Sequence, residues 1–93
     1  MIARIRELAD EHKGLFATCY SHQAGDTRLA RRMLRTQLKE TYGLDPMTII
    51  VLIQIAIRIW AWAKQHGFLT AYGAQAVPMG QILDDAEADG DLD

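Results

Sequence analysis

The first residues that could act together chemically are two histidines and the single cysteine: His12, Cys19 and His22. Spacings of seven and three residues put them near one side of a helix, within reach of a shared metal ion. Zinc would need a fourth ligand or a water, and the chain contains neither a CxxC nor an HExxH motif. A histidine and a cysteine on an apolar helix face are more often packing residues. We therefore predict that these three side chains bind no metal.

A second candidate lies among the acids that surround Gly90. Asp85, Glu87, Asp89 and Asp91 occupy alternate positions in a pattern that resembles the calcium-binding loop of an EF-hand. The resemblance covers nine residues and stops before the position-twelve carboxylate, which holds calcium through both of its oxygens. Acidic segments of low complexity produce such matches by chance, so we expect no tight calcium binding.

No other arrangement typical of a catalytic site is found in the sequence. The chain has no glycine-rich phosphate loop and no nucleophile elbow, and the acids of its body are scattered rather than paired. The sequence therefore predicts a protein without enzymatic activity, without a cofactor and without a small-molecule substrate.

The formal charge of −2 conceals an uneven distribution along the chain. Residues 84–93 hold six of the twelve acids and no base, so the remainder carries ten bases against six acids, a charge of +4. We therefore divide the chain into a helical domain, residues 1–83, and an acidic tail, residues 84–93. The tail has almost nothing to bury and is expected to be flexible.

Apolar periodicity predicts two amphipathic helices in the first half of the chain. The first covers about residues 3–20, with apolar side chains at alternating spacings of three and four. The second is capped by Asp26 or Thr27 and runs to about Tyr42, where Gly43 can end it. Opposite its apolar face lies an unbroken line of bases, which we call the basic row: Arg28, Arg31, Arg32, Arg35 and Lys39.

The basic row suits several acidic partners. Charges at this spacing can meet successive phosphates of a nucleic acid, the head groups of an anionic membrane or an acidic protein. Sequence-specific reading of DNA would need Asn, Gln or Ser among the arginines, and only Gln37 lies at the edge of the row. The remaining interpretation is a face that is only solvated, or one that pairs with Glu40 or with the acidic tail.

A helix-start signal and a helix-stop signal lie on either side of the most apolar part of the chain. Asp45 followed by Pro46 is typical of a helix start, and Gly67 of a helix stop. Alternating isoleucines in this segment also suit a strand, but about twenty residues between breakers favour a helix. With a short fourth helix predicted over residues 79–88, the expected fold is all-α: a small bundle of three main helices, a short fourth helix and the tail.

The third helix can be enclosed by protein or by lipid. An arginine near a helix centre costs about 2.5 to 3.5 kcal/mol on insertion, and each isoleucine returns about 0.3 to 0.6 kcal/mol. Arg58 and Gln54 therefore bring membrane insertion of residues 47–63 close to break-even. The side chains expected to contact another subunit or lipid are Ile49, Ile53, Ile57, Trp60 and Trp62.

The leading interpretation of function is a cytoplasmic, non-enzymatic structural or adaptor subunit. It would self-associate, or join a larger assembly, through its apolar helix faces, and it would present the basic row to an acidic partner. One alternative is a single-span membrane protein with its N-terminus inside, its C-terminus outside and a span over about residues 47–63. Another is a nucleic-acid-binding protein whose acidic tail is autoinhibitory.

Overall fold

The chain folds into helices, several of which begin or end beside a glycine or a proline. A computed structural model describes residues 2–67, 70 and 72–92. Every regular element within these residues is helical, so the all-α class is confirmed and the strand alternative does not occur there. The described residues contain five α-helices: α1 (Ile2–Glu11), α2 (Lys13–His22), α3 (Thr27–Thr36), α4 (Pro46–His66) and α5 (Met79–Ala88). A π-helical turn, Gln37–Thr41, extends α3, and a 3-10 turn, Gly73–Ala76, precedes α5.

The predicted first helix is two helices, which corrects the expectation of three main helices. The break is at His12, whose backbone angles are φ −103° and ψ 8°. Its ring is buried, and its Nδ1 lies 2.7 Å from the carbonyl oxygen of Leu8. The ring also packs edge-on against the ring of Tyr42, with 4.6 Å between the two centroids. The break redirects the chain, so that α1 packs against α4 while α2 packs against both α3 and α4. Apolar spacing alone could not reveal it, because the apolar seam continues across the break.

The α3 helix begins and ends as local signals require. The carboxylate of Asp26 accepts hydrogen bonds from the backbone N–H groups of Arg28 at 3.1 Å and Leu29 at 3.2 Å. These bonds satisfy donors that a helix start leaves free. Beyond the π-helical turn that extends α3, Gly43 takes a φ of +63°, a conformation that glycine adopts without strain. The predicted second helix is therefore observed, with its last turn in π-helical form.

The α4 helix forms the centre of the fold. Its first turn is capped by Asp45, which accepts a hydrogen bond from the Thr48 N–H at 3.1 Å. The hydroxyl and the backbone N–H of Thr48 hold the pKa of the Asp45 carboxyl below its ordinary value. The cap thus stabilises the fold above that ordinary pKa, and its contribution is lost as the pH falls through the lowered one.

Eight side chains of α4 are buried against α1, α2, α3 and α5. The apolar faces of the other helices pack on these side chains and are buried in turn. A small domain forms a single core in this way. In the described part of the chain, α4 alone is long and apolar enough to cross a membrane, a test that core helices of soluble proteins also pass. The buried residues are Ile49, Leu52, Ile53, Ile55, Ala56, Ile59, Trp60 and Ala63.

The segment predicted as a flexible tail is folded against the helices as far as residue 92. The α5 helix continues to Ala88, and Gly90 follows with a φ of +81°. The Asp91 N–H donates to the carbonyl of Ala86 at 2.8 Å, and the Gly90 N–H to that of Glu87 at 3.1 Å. This pair of bonds is the Schellman arrangement that closes many helices.

Two further contacts hold the end of this segment in place. Leu92 is 1% exposed and belongs to the core. Arg58 of α4 donates to Asp89 at 2.6 Å and to Asp91 at 2.9 Å through Nε. These hydrogen bonds raise the pKa of Arg58 above its ordinary value. The composition of the tail did not predict this arrangement, because a count of charges omits one buried leucine and an arginine 31 residues away.

Replacing Arg58 with alanine is expected to loosen this C-terminal segment without unfolding the helices. The change leaves Asp89 and Asp91 close together without their shared cation. We expect the Asp91 amide to exchange its hydrogen about tenfold faster in hydrogen-exchange NMR. Arg6→Ala is the control, because Arg6 pairs with Asp84 and Glu87 within α5 rather than with the turn. Unchanged exchange at Asp91 in Arg58→Ala would contradict the assigned contact.

Candidate interaction surface

The α3 and α4 helices run antiparallel and leave a groove between them. At one end, Arg28 and Arg31 border a pit of about 380 Å³ together with Ile57 of α4. At the other end, Arg35 and Lys39 border a second pit of about 380 Å³ with Pro46 and Ile50, among others. We call the two pits and their borders the α3–α4 groove.

The α4 side of the groove is an exposed apolar line, which is unusual for a helix that also forms the core. Met47 is 63% exposed, Ile50 is 52% exposed and Ile57 is 36% exposed. Ala61 is also exposed, and Gln54 lies in the middle of the same face. Exposed apolar side chains that gather on one face mark binding surfaces more often than scattered ones do. We call this line the apolar row: Met47, which borders neither pit, and Ile50, Ile57 and Ala61, which border them.

Four members of the basic row lie along the α3 side of the groove. Arg28, Arg31, Arg35 and Lys39 are exposed and border the two pits. Arg32 is exposed as well but borders neither pit. The groove therefore has a basic edge and an apolar edge, contributed by adjacent helices.

The basic row makes no ion pair within residues 2–67, 70 and 72–92. Pairing with Glu40 or with the acidic tail is therefore not observed there, and the bases are solvated. Four of the five described acids of the tail instead pair elsewhere: Asp84 and Glu87 contact Arg6, while Asp89 and Asp91 contact Arg58. The charge of the basic row consequently faces solvent along the groove.

The structure places most of the predicted contact residues in the core instead of on the surface. Ile53 is buried, and Ile49 and Trp60 are core side chains at the base of the two pits. Trp62 is half-buried and stacks on His66 with a centroid distance of 4.3 Å. Of the five predicted contact residues, Ile57 alone lies exposed in the groove. One face of α4 carries Met47, Ile50, Gln54, Ile57 and Ala61, but their spacing does not distinguish it from the other apolar faces of this helix.

The indole of Trp60 has a structural role. Its Nε1–H donates a hydrogen bond of 3.0 Å to the carbonyl oxygen of Phe16, so the buried polar atom is satisfied. The ring also stacks near Tyr20, with 6.3 Å between centroids. Trp60 therefore joins α4 to α2 and would not be available to lipid or to a partner.

The metal candidates do not assemble into a site. Among the described residues, no group of three or more His, Cys, Asp or Glu side chains is placed to hold a metal ion. Burial raises the pKa of the Cys19 thiol to about 11, so it remains protonated and packs as a small apolar side chain. The ring of His12 is buried beside Leu8, while His22 is exposed.

The acids of the EF-hand-like pattern serve other contacts. Asp89 and Asp91 bind Arg58, Glu87 binds Arg6, and Asp85 is exposed on α5. The glycine between the aspartates closes a helix here, which explains the pattern without calcium.

Comparisons with protein-family models, curated proteins and solved structures found no match. The groove is therefore the feature from which a function can be argued.

Proposed function

We propose that this chain is a non-enzymatic structural or adaptor subunit that binds an acidic partner through the α3–α4 groove. The observation that carries the proposal is the juxtaposition of the apolar row with four bases of the basic row. The apolar side chains gain free energy when a partner removes them from water, at roughly 25 cal/mol per Å². The bases attract and orient a partner of opposite charge.

Self-association through the same face is a weaker version of this proposal. In a two-fold dimer each copy would present the groove to the groove of the other, so one interface would contain two basic rows. Four of the five described acids near the C-terminus are held by Arg6 and Arg58, which limits their use by a second copy. A different, acidic protein fits the charge of the groove better.

The nucleic-acid and membrane alternatives account for less of the surface. The basic row suits phosphates, but the apolar row gives phosphates nothing to bind, and the side-chain oxygen of Gln37 accepts the Thr41 hydroxyl at 2.9 Å. The length of α4 suits a membrane span. Spanning would require α4 to lose its contacts with four other helices, including the Trp60 hydrogen bond.

A photo-crosslinking amino acid in place of Ile50 is expected to form protein adducts in cells that make this chain. The same amino acid in place of Glu7, exposed on α1, is the control for random collisions. We expect defined adducts from position 50, their loss when Arg31→Glu is added, and none from position 7. Absence of adducts from position 50, equal adducts from both positions, or adducts only with nucleic acid or lipid would contradict the proposal.

A further inference from the structure

We infer that the occupant of the α3–α4 groove is an amphipathic helix of a partner protein, with apolar residues on one side and acids beside them. This inference rests on the proposed function and identifies the shape of the segment that the groove accepts. Three features of the groove support it: the spacing of the exposed isoleucines that border the two pits, the spacing of the bases and the concave surface.

The exposed isoleucines that border the two pits have the spacing of a helical repeat. Ile50 and Ile57 border different pits and are seven residues apart on α4, which is about 10.5 Å at 1.5 Å per residue. A helix lying along α4 places its own residues i and i+7 at the same separation and on the same side. One such helix can therefore seat an apolar side chain in each pit.

An extended peptide matches the two exposed isoleucines less well. At about 3.3 Å per residue, a strand covers the distance between Ile50 and Ile57 in three residues. Residues i and i+3 of a strand point to opposite faces, so only one of them could enter the groove. The spacing thus favours a helical segment over a strand.

The bases have the spacing that a second helix would need. Arg28, Arg31, Arg35 and Lys39 follow each other at three, four and four residues, so they form one line along the groove. Acids three or four residues apart on a partner helix form a line with the same repeat. Helices that lie in grooves through apolar residues at i, i+4 and i+7 are a common form of recognition.

The concave shape argues against a membrane surface. Peripheral membrane helices insert protruding apolar and aromatic side chains among lipids. Here the pits recede between two helices, and both tryptophans are engaged elsewhere: Trp60 by Phe16 and Trp62 by His66. A bilayer would leave the pits unfilled, whereas the side chains of a helix can enter them.

The test uses fluorescent peptides of about 18 residues, five turns of helix, titrated into the full chain and followed by anisotropy. The first peptide carries leucines at i, i+4 and i+7 with glutamates beside them. The control peptide has the same composition, with the leucines redistributed around the helix. We expect the first to bind about tenfold more tightly than the control, with vesicles containing phosphatidylserine and a DNA duplex binding more weakly than the first peptide.

Matched variants of the protein connect this binding to the groove. Arg31→Glu and Ile57→Ser are each expected to weaken the first peptide about tenfold, because both residues border the same pit. Arg32→Glu makes the same charge change one residue away, outside the pits, and is expected to change the affinity by less than about twofold. Circular dichroism of each variant establishes that its helices remain intact.

The possible failures separate this inference from the proposed function. If position 50 forms Arg31-dependent protein adducts but both peptides bind equally or not at all, the helical partner is excluded and the adaptor proposal stands. Tighter binding of vesicles or DNA than of the first peptide, or an equal effect of Arg31→Glu and Arg32→Glu, also overturns the inference. Absence of adducts at position 50 contradicts the adaptor proposal itself.

Discussion

Leu52→Asp is expected to unfold the protein, whereas Ile50→Asp, two residues earlier on the same helix, leaves it folded. Leu52 is fully buried, and Ile50 is 52% exposed in the α3–α4 groove. A carboxylate at position 52 would lie in the core without a partner, at a cost of several kcal/mol. That is comparable with the whole stability of a small domain, about 5 to 15 kcal/mol. Circular dichroism and gel filtration of the two variants measure the outcome.

This pair of substitutions also separates a core helix from a membrane span. In a span both positions would lie within the lipid, and each aspartate would cost insertion a similar amount, about 2.5 to 3.5 kcal/mol. The two variants would then fail alike. Equal effects of Leu52→Asp and Ile50→Asp would therefore contradict the arrangement of α4 described above.

Trp60→Ala is expected to lower the free energy of unfolding by about 3 to 5 kcal/mol. The indole is fully buried, and its removal leaves a large cavity between α4 and α2. The carbonyl of Phe16 also loses its hydrogen bond from Nε1. Urea titration followed by circular dichroism gives the change in free energy.

The matched control for Trp60→Ala is Trp60→Phe. Phenylalanine keeps most of the ring but cannot donate to the carbonyl of Phe16, so the loss is expected to be about 1 to 3 kcal/mol. A loss below about 1 kcal/mol in Trp60→Ala would show that the indole is not part of the core. An intermediate value for Trp60→Phe separates packing from hydrogen bonding.

The ends of α4 could be predicted from sequence because they depend on nearby residues. Asp45 and Pro46 form the start and Gly67 the end, as local capping chemistry requires. The break between α1 and α2 could not be predicted in this way. His12 packs against Tyr42, thirty residues away in sequence, and such a contact exists only after the chain has folded.

Of the two edges of the candidate site, the basic row could be predicted from the sequence and the apolar row could not. The basic row stands out because its charges follow one face of an otherwise ordinary helix. The apolar row does not stand out in the sequence, because α4 is apolar on nearly every side. Which isoleucines remain exposed is decided by the positions of α1, α3 and α5, and that information is absent from periodicity. The predicted contact residues therefore lie mostly on the buried face of α4.

The burial of Cys19 has a practical consequence for labelling. Its thiol is enclosed in the core with its pKa raised to about 11, and it is the only cysteine in the sequence. Thiol reagents attack the thiolate, which is scarce here at neutral pH. A cysteine introduced at an exposed position of the groove can thus carry a fluorophore or spin label selectively, with the natural cysteine left in place.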